Sequence, residues 1–123
     1  MNLELRSIAA KGDIRNERLT FRVKTALDVG DYVLLQTSYI EGTLTTNIFN
    51  SYWFSYGAVA KGDLVVLYTR SGTNSSKPLK DAGTAHFFYW GLRDPIWDDN
   101  ERAAVILHAP QWQSKPASEL WRR

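Results

Sequence analysis

The stretch that decides the fold is ERLTFRVKT, residues 17–25. Apolar and polar side chains alternate through it, which is the two-residue period of a β-strand. Because neighbouring side chains of a strand point to opposite faces, the pattern predicts a strand with one buried and one solvated face. The inward set is Leu19, Phe21 and Val23, and the outward set is Arg18, Thr20, Arg22 and Lys24.

Strand patterns recur on both sides of this stretch, with turn residues about every 8–12 positions. We predict further strands in residues 3–10, 30–40, 43–56, 63–70, 84–91 and 102–108. Residues 30–40 are uniformly apolar, which favours a central strand, whereas the sequence does not set the pairing of residues 43–56. Residues 71–84 are polar, with two glycines and a proline, and predict the longest loop. Without a helical stripe of useful length, the pattern indicates an all-β sandwich or barrel.

The chain has 123 residues, of which 44% are hydrophobic, so we expect one domain with a packed core. We assign residues 1–110 to this domain. Residues 111–123 form a tail that either straps across the domain or hangs free.

Composition narrows the class of protein. There is no cysteine, which excludes a disulfide framework and a thiolate metal site. The N-terminus lacks the apolar segment of a secretory signal, and no window reaches the roughly 18 apolar residues of a membrane span. The net charge of +2 comes from scattered residues. We therefore expect a cytoplasmic protein that makes no contact with membranes.

Residues 58–108 contain a series of short motifs. These are Gly62, an apolar strand over residues 65–69, Ser71-Gly72-Thr73, Tyr89-Trp90-Gly91, and Trp97 followed by Asp98-Asp99. In this half the chain resembles bacterial lamin-tail domains. It departs from that family at Glu101-Arg102, where Gly-Asp is usual, in its corner aspartates, which replace asparagines, and in its longer loop. The resemblance implies an immunoglobulin-like β-sandwich of about seven to nine strands, serving as an interaction or targeting module without catalytic residues.

Two tryptophans flank the proline-containing segment GLRDPI, residues 91–96. Burying one such side chain removes about 150–250 Å² from water, enough to explain tryptophans over the end of a sandwich. We predict a structural corner made of Trp90, Trp97, Asp98 and Asp99, with Asp98 accepting backbone N–H bonds. Stacking of a ligand on the tryptophans, and a divalent ion among the acidic residues, remain alternatives. The acidic spacing does not match an EF-hand loop.

The aromatic run SYWFSY, residues 51–56, cannot turn all of its large side chains inward. Exposed tyrosine and tryptophan are favoured at protein interfaces. We predict that Tyr52, Trp53, Phe54 and Tyr56 form an interface with a protein partner or a second copy of the chain. The tail, through Trp112 and Trp121, is the other candidate cover.

A second binding hypothesis concerns nucleic acid. Arg18, Arg22 and Lys24 project from one side of their strand, and Lys77 lies in the predicted loop 71–84. Such residues are candidate anion-binding groups that contact phosphates. Charged side chains on exposed strands also block edge-to-edge pairing, which is the plainer explanation.

The sequence lacks the usual combinations of catalytic residues. The two histidines, His86 and His108, lie in predicted strands, and no G-x-S-x-G motif accompanies them. The loop around Gly72 and Lys77 lacks the ending of a phosphate-binding loop. We predict no enzyme activity, no cofactor, no metal site and no small-molecule substrate. The favoured function is a non-catalytic binding module that contacts another protein or itself, and the alternative is a nucleic-acid-binding accessory domain.

Overall fold

The computed structural model describes residues 1–81 and 83–122. Within these residues it contains ten strands, a 3-10 turn at Val29–Asp31 and one short helix, α1 (Ala117–Leu120). The strands are β1 (Leu3–Ala9), β2 (Arg18–Val23), β3 (Leu27–Asp28), β4 (Tyr32–Ile40), β5 (Thr43–Trp53), β6 (Ala58–Val59), β7 (Leu64–Tyr68), β8 (Ser75–Pro78), β9 (Thr84–Tyr89) and β10 (Arg102–His108).

The larger sheet has five strands in the order β1-β2-β7-β9-β8. Neighbours are antiparallel except β7 and β9, which run parallel. After β7 the chain crosses to the edge of the sheet, forms β8, and returns so that β9 lies between β7 and β8.

The smaller sheet has three strands in the order β10-β4-β5, both pairs antiparallel. β4 is therefore the central strand, and β5 and β10 are both edges. A separate two-stranded ribbon pairs β3 with β6.

The core lies between the five-stranded and three-stranded sheets. Leu19, Phe21 and Val23 of β2 are all buried, as their alternation in the sequence predicts. Leu34 and Tyr32 of β4 face them, and they belong to the same cluster of buried apolar side chains. The two stacked layers confirm the prediction of an all-β sandwich.

The predicted loop 71–84 is partly wrong, because it contains β8, which pairs with β9. All four residues of β8 are exposed, so the strand lacks the alternation that identifies a half-buried strand. A lysine and a proline on this edge leave the sheet with a short, blunt end, as is usual for edge strands. The two-residue strands β3 and β6 are also absent from the sequence prediction.

No helix among residues 1–81 and 83–122 has the length and apolar character needed to cross a membrane.

Candidate functional site

The aromatic run 51–56 separates into inward and outward side chains. Tyr52 pairs with the buried Leu34, and it packs edge-on against Phe54 at 5.1 Å between ring centroids. Phe54 is only 2% exposed and belongs to the core. The prediction that Phe54 forms part of an interface is therefore wrong, because its ring is consumed by contacts with Tyr52, Phe21 and Phe88.

Trp53 and Tyr56 are the exposed members of the predicted interface. The Trp53 indole N–H donates to the Gly30 carbonyl at 2.7 Å, which ties the ring to the 3-10 turn that precedes β4. Trp112 of the tail meets Trp53 edge-on at 5.3 Å, and its indole N–H donates to the Tyr56 hydroxyl at 2.9 Å. The tail thus docks on the domain at this point, and it leaves Trp53 49% exposed.

Trp53 marks one end of a larger apolar surface, the outer side of the three-stranded sheet. The strand register places one set of side chains on this side, away from the core. This set, called the apolar face below, comprises Val33, Leu35, Thr37, Tyr39, Leu44, Ile48, Ser51, Trp53, Ala103, Val105 and Leu107. Ile48 and Leu107 are 51% and 41% exposed.

The apolar face carries no charged side chain among the residues that the register assigns to it. It is about 25 Å long and 10–15 Å wide, given the spacing of residues and strands in a sheet, or roughly 300 Å² in projection. The largest apolar patch on a typical monomeric protein is of this size, and it is often a functional surface. The sequence indicated this apolar surface, since residues 30–40 are apolar on both sides of the strand. That pattern predicts a central strand, and β4 is the central strand of its sheet.

The predicted corner is confirmed in part, because Trp97 is buried in the core and Trp90 packs against it at 6.3 Å. The backbone cap comes from Asp99 rather than Asp98: Asp99 accepts from the Glu101 N–H at 2.8 Å and forms an ion pair with Arg102 at 3.4 Å. Asp98 instead lies beside Gly12. The proposed cap at Asp98 is wrong, because the Glu101 N–H of this turn donates to Asp99, the next residue along the chain.

A buried carboxylate, Glu17, organises this corner and was missed by the sequence analysis. It is fully buried and accepts hydrogen bonds from the Thr69 hydroxyl at 2.6 Å and the Gly12 N–H at 2.8 Å. It also accepts from the N–H groups of Ile96 and Trp97 at 2.9 and 3.3 Å. A glutamate just before an alternating strand looks like a surface residue in sequence, so no local pattern identifies it.

The four candidate anion-binding residues lie on one face. Arg18 and Arg22 point outward from β2, opposite Tyr68 and Leu64 of β7. Lys77 of β8 lies on the same side, opposite Ala85. Lys24 follows β2 and forms an ion pair with Glu4 at 3.4 Å. This outer side of the five-stranded sheet is called the basic face below.

The basic face also carries aromatic side chains that the sequence analysis did not assign to a site. Tyr68 and Tyr89 stack with ring centroids 5.2 Å apart and an interplanar angle of 10°. The Arg70 guanidinium lies over both rings, at 4.8 and 5.1 Å from their centroids. Phe87 completes the row at 6.4 Å from Tyr68.

A second polar cluster joins Asp63 and His86 at the other end of the sandwich. The Asp63 carboxylate accepts from the Thr84 N–H at 2.9 Å and is 2.8 Å from the His86 Nε2. It also accepts from the Ala60 N–H at 3.0 Å. Burial alone raises the pKa of Asp63, but these hydrogen bonds outweigh burial and hold the pKa below its usual range.

The cluster at His86 has a structural geometry. The Asp63 carboxylate binds two backbone N–H groups as well as the His86 ring, and so stabilises the turn. The other histidine, His108, stacks on Tyr32 at 4.7 Å. Among the described residues, no three side chains of histidine, aspartate or glutamate lie close enough together to hold a metal ion.

Comparisons with protein-family models, with curated proteins and with solved structures found no match for this chain. The two faces of the sandwich are therefore the features that bear on function.

Proposed function

We propose that this protein is a non-catalytic binding module of lamin-tail type that associates with a second copy of itself through the apolar face. The observation that carries the proposal is the uncharged outer side of the three-stranded sheet, where Ile48, Trp53 and Leu107 are each at least two-fifths exposed. Water is a poor solvent for such a surface, so its burial between proteins is favourable.

A second copy is the favoured partner because an uncharged face is self-complementary. In a two-fold interface each residue patch meets its own equivalent, so a charged patch would place like charges together. The apolar face avoids this penalty in all of its register-assigned residues. Two sheets can pack face to face about 10 Å apart, which the β-sandwich itself illustrates.

The size of the face sets the expected strength. Its projected area of roughly 300 Å² is less than the ~800 Å² that each partner buries in a standard interface. We therefore expect weak association, with a dissociation constant in the range of about 10 µM to 1 mM. The tail contributes at one end, where Trp112 already contacts Trp53.

Sedimentation velocity over about 10 µM to 1 mM tests the proposal. The parent chain should show a weight-average sedimentation coefficient that rises with concentration. Leu107→Lys places a charge on the face, and it should weaken association at least about tenfold. Ser75→Lys adds the same charge to the exposed edge strand β8 and should leave association unchanged.

A parent chain that remains monomeric throughout the concentration range would contradict the proposal. So would equal weakening by Leu107→Lys and Ser75→Lys, since net charge rather than the apolar face would then control association. Circular dichroism of each variant checks that the sandwich is intact.

A further inference from the structure

The basic face has a charge imbalance that the rest of the chain does not share. Its cations are Arg6, Arg18, Arg22, Lys24, Arg70 and Lys77. The carboxylates beside them are Glu4, which pairs with Lys24, and the buried Asp63, which lines the same recess as Arg6 and Arg22 and is bonded to His86. The whole chain has 15 Lys and Arg and 13 Asp and Glu, so the remainder carries more carboxylates than cations. A polyanion is therefore attracted to one side of the molecule and repelled by the remainder.

Protection of the sheet against edge-to-edge pairing does not explain the row of aromatic side chains at the centre of this face. The rings of Tyr68, Phe87 and Tyr89 lie half-buried on strands β7 and β9, inside the sheet rather than at its edge. A central strand already has both neighbours, so it needs no gatekeeper against pairing. Aromatic rings on a sheet surface surrounded by arginine are a platform on which nucleic-acid bases stack.

Arg70 is held in place over this platform. Its Nε donates to the Arg15 carbonyl at 2.9 Å, and its Nη1 donates to the Ser71 carbonyl at 3.0 Å. The guanidinium plane is thereby fixed above Tyr68 and Tyr89, so little rotamer freedom is lost when an anion or a base contacts it.

We infer that the basic face is a binding site for single-stranded nucleic acid, with Arg18, Arg22 and Lys77 contacting phosphates. The bases contact the Phe87 ring and the Arg70 guanidinium, which lies over Tyr68 and Tyr89. A single strand fits better than a duplex because a duplex keeps its bases stacked within the helix, beyond the reach of a sheet surface. This inference goes beyond self-association and does not rest on it, since the two sites lie on opposite sides of the sandwich.

The test is fluorescence anisotropy with labelled oligo-dT and oligo-rU of about 20 nucleotides, and with a duplex of the same length, at several salt concentrations. Three phosphate contacts on a single strand, from Arg18, Arg22 and Lys77, correspond to a slope of log K against log salt of about −2. We expect both single strands to bind, with weaker binding to the duplex. The difference between the two single strands reports whether the 2′-hydroxyl contributes.

Matched variants separate charge from stacking. Arg18→Gln with Arg22→Gln should make the salt slope shallower by about 1.4, whereas Lys115→Gln with Arg122→Gln in the tail should not change it. Tyr68→Leu with Phe87→Leu keeps apolar bulk on the sheet and removes the stacking surface. This pair should weaken binding about 5- to 100-fold at constant slope.

Each of the following results would overturn the inference. One is absence of binding to either single strand at about 50 mM salt. Another is equal loss from the tail pair and the β2 pair, which would indicate diffuse charge. The last is binding that the leucine pair leaves unchanged, or duplex binding as tight as single-strand binding, since either shows a polyanion surface without base stacking.

Discussion

The Glu17 carboxylate joins parts of the chain that are far apart in sequence, through four hydrogen bonds to residues 12, 69, 96 and 97. In Glu17→Gln, an amide NH₂ replaces one acceptor oxygen and faces N–H donors. We expect the free energy of unfolding to fall by about 2–3 kcal/mol. Urea denaturation followed by tryptophan fluorescence measures this, with the exposed Glu119→Gln as control. Equal midpoints for the two variants would contradict the assigned role.

Asp63 predicts a dependence of stability on pH. Its folded-state pKa is lowered, so its carboxylate stabilises the fold at pH values above the unfolded-chain pKa of about 3.9. This contribution is lost as the pH falls through the lower folded-state pKa. Asp63→Asn should therefore be less stable than the parent at pH 7, and the difference should narrow on acidification below about pH 4.

Chemical denaturation at a series of pH values tests the Asp63 prediction. The exposed Asp94→Asn variant is the matched control and should follow the parent at every pH. A difference between parent and Asp63→Asn that stays constant or widens as the pH falls would show that the carboxylate is not the stabilising group.

At the scale of elements, the 3-10 turn before β4 depends on a glycine for close packing. A Cβ built on Gly30 lies 2.3 Å from the Tyr56 ring and 2.7 Å from the Tyr56 Cα, so alanine does not fit without moving backbone. Gly30→Ala should cost about 1–3 kcal/mol of stability. Gly57→Ala has nothing within 4 Å of its new Cβ and should be nearly neutral. Thermal unfolding compares the two, and equal midpoints would count against this packing account.

The elements that the sequence predicts are those whose side chains alternate against the core. β2 is recovered because Leu19, Phe21 and Val23 face inward while charged residues face water. β8 is missed because an exposed edge strand of four residues has no inward set. The pairing of residues 43–56 with β4 is equally hidden, since register shifts interrupt the alternation.

The candidate sites were harder to predict than the fold, because they depend on residues from distant strands. Trp53 was recognised from its local crowding, but its neighbours on the apolar face, such as Val105 and Leu107, come from β10. Likewise Arg18 was recognised on its own strand, whereas Tyr68 and Tyr89 reach the same face only through the pairing of β2, β7 and β9. Sequence alone does not supply that pairing.

For the whole molecule, the sandwich places an apolar surface on one side and a basic, aromatic surface on the other. The two sites should therefore act independently. Leu107→Lys should leave the affinity for single-stranded nucleic acid within about twofold, apart from the small effect of one added charge. Arg18→Gln with Arg22→Gln should leave self-association unchanged in sedimentation. Strong coupling between the two measurements would show that one surface had been misassigned.

The most direct test of the central claim is amide hydrogen exchange by mass spectrometry at about 10 µM and about 500 µM protein. Self-association through the apolar face buries the outer side of β4, β5 and β10, so local opening of these strands becomes less favourable and their exchange should slow at the higher concentration. Strands β1, β2 and β7 should exchange alike at both concentrations. Unchanged exchange in β5 and β10, or slowing confined to the five-stranded sheet, would contradict the account.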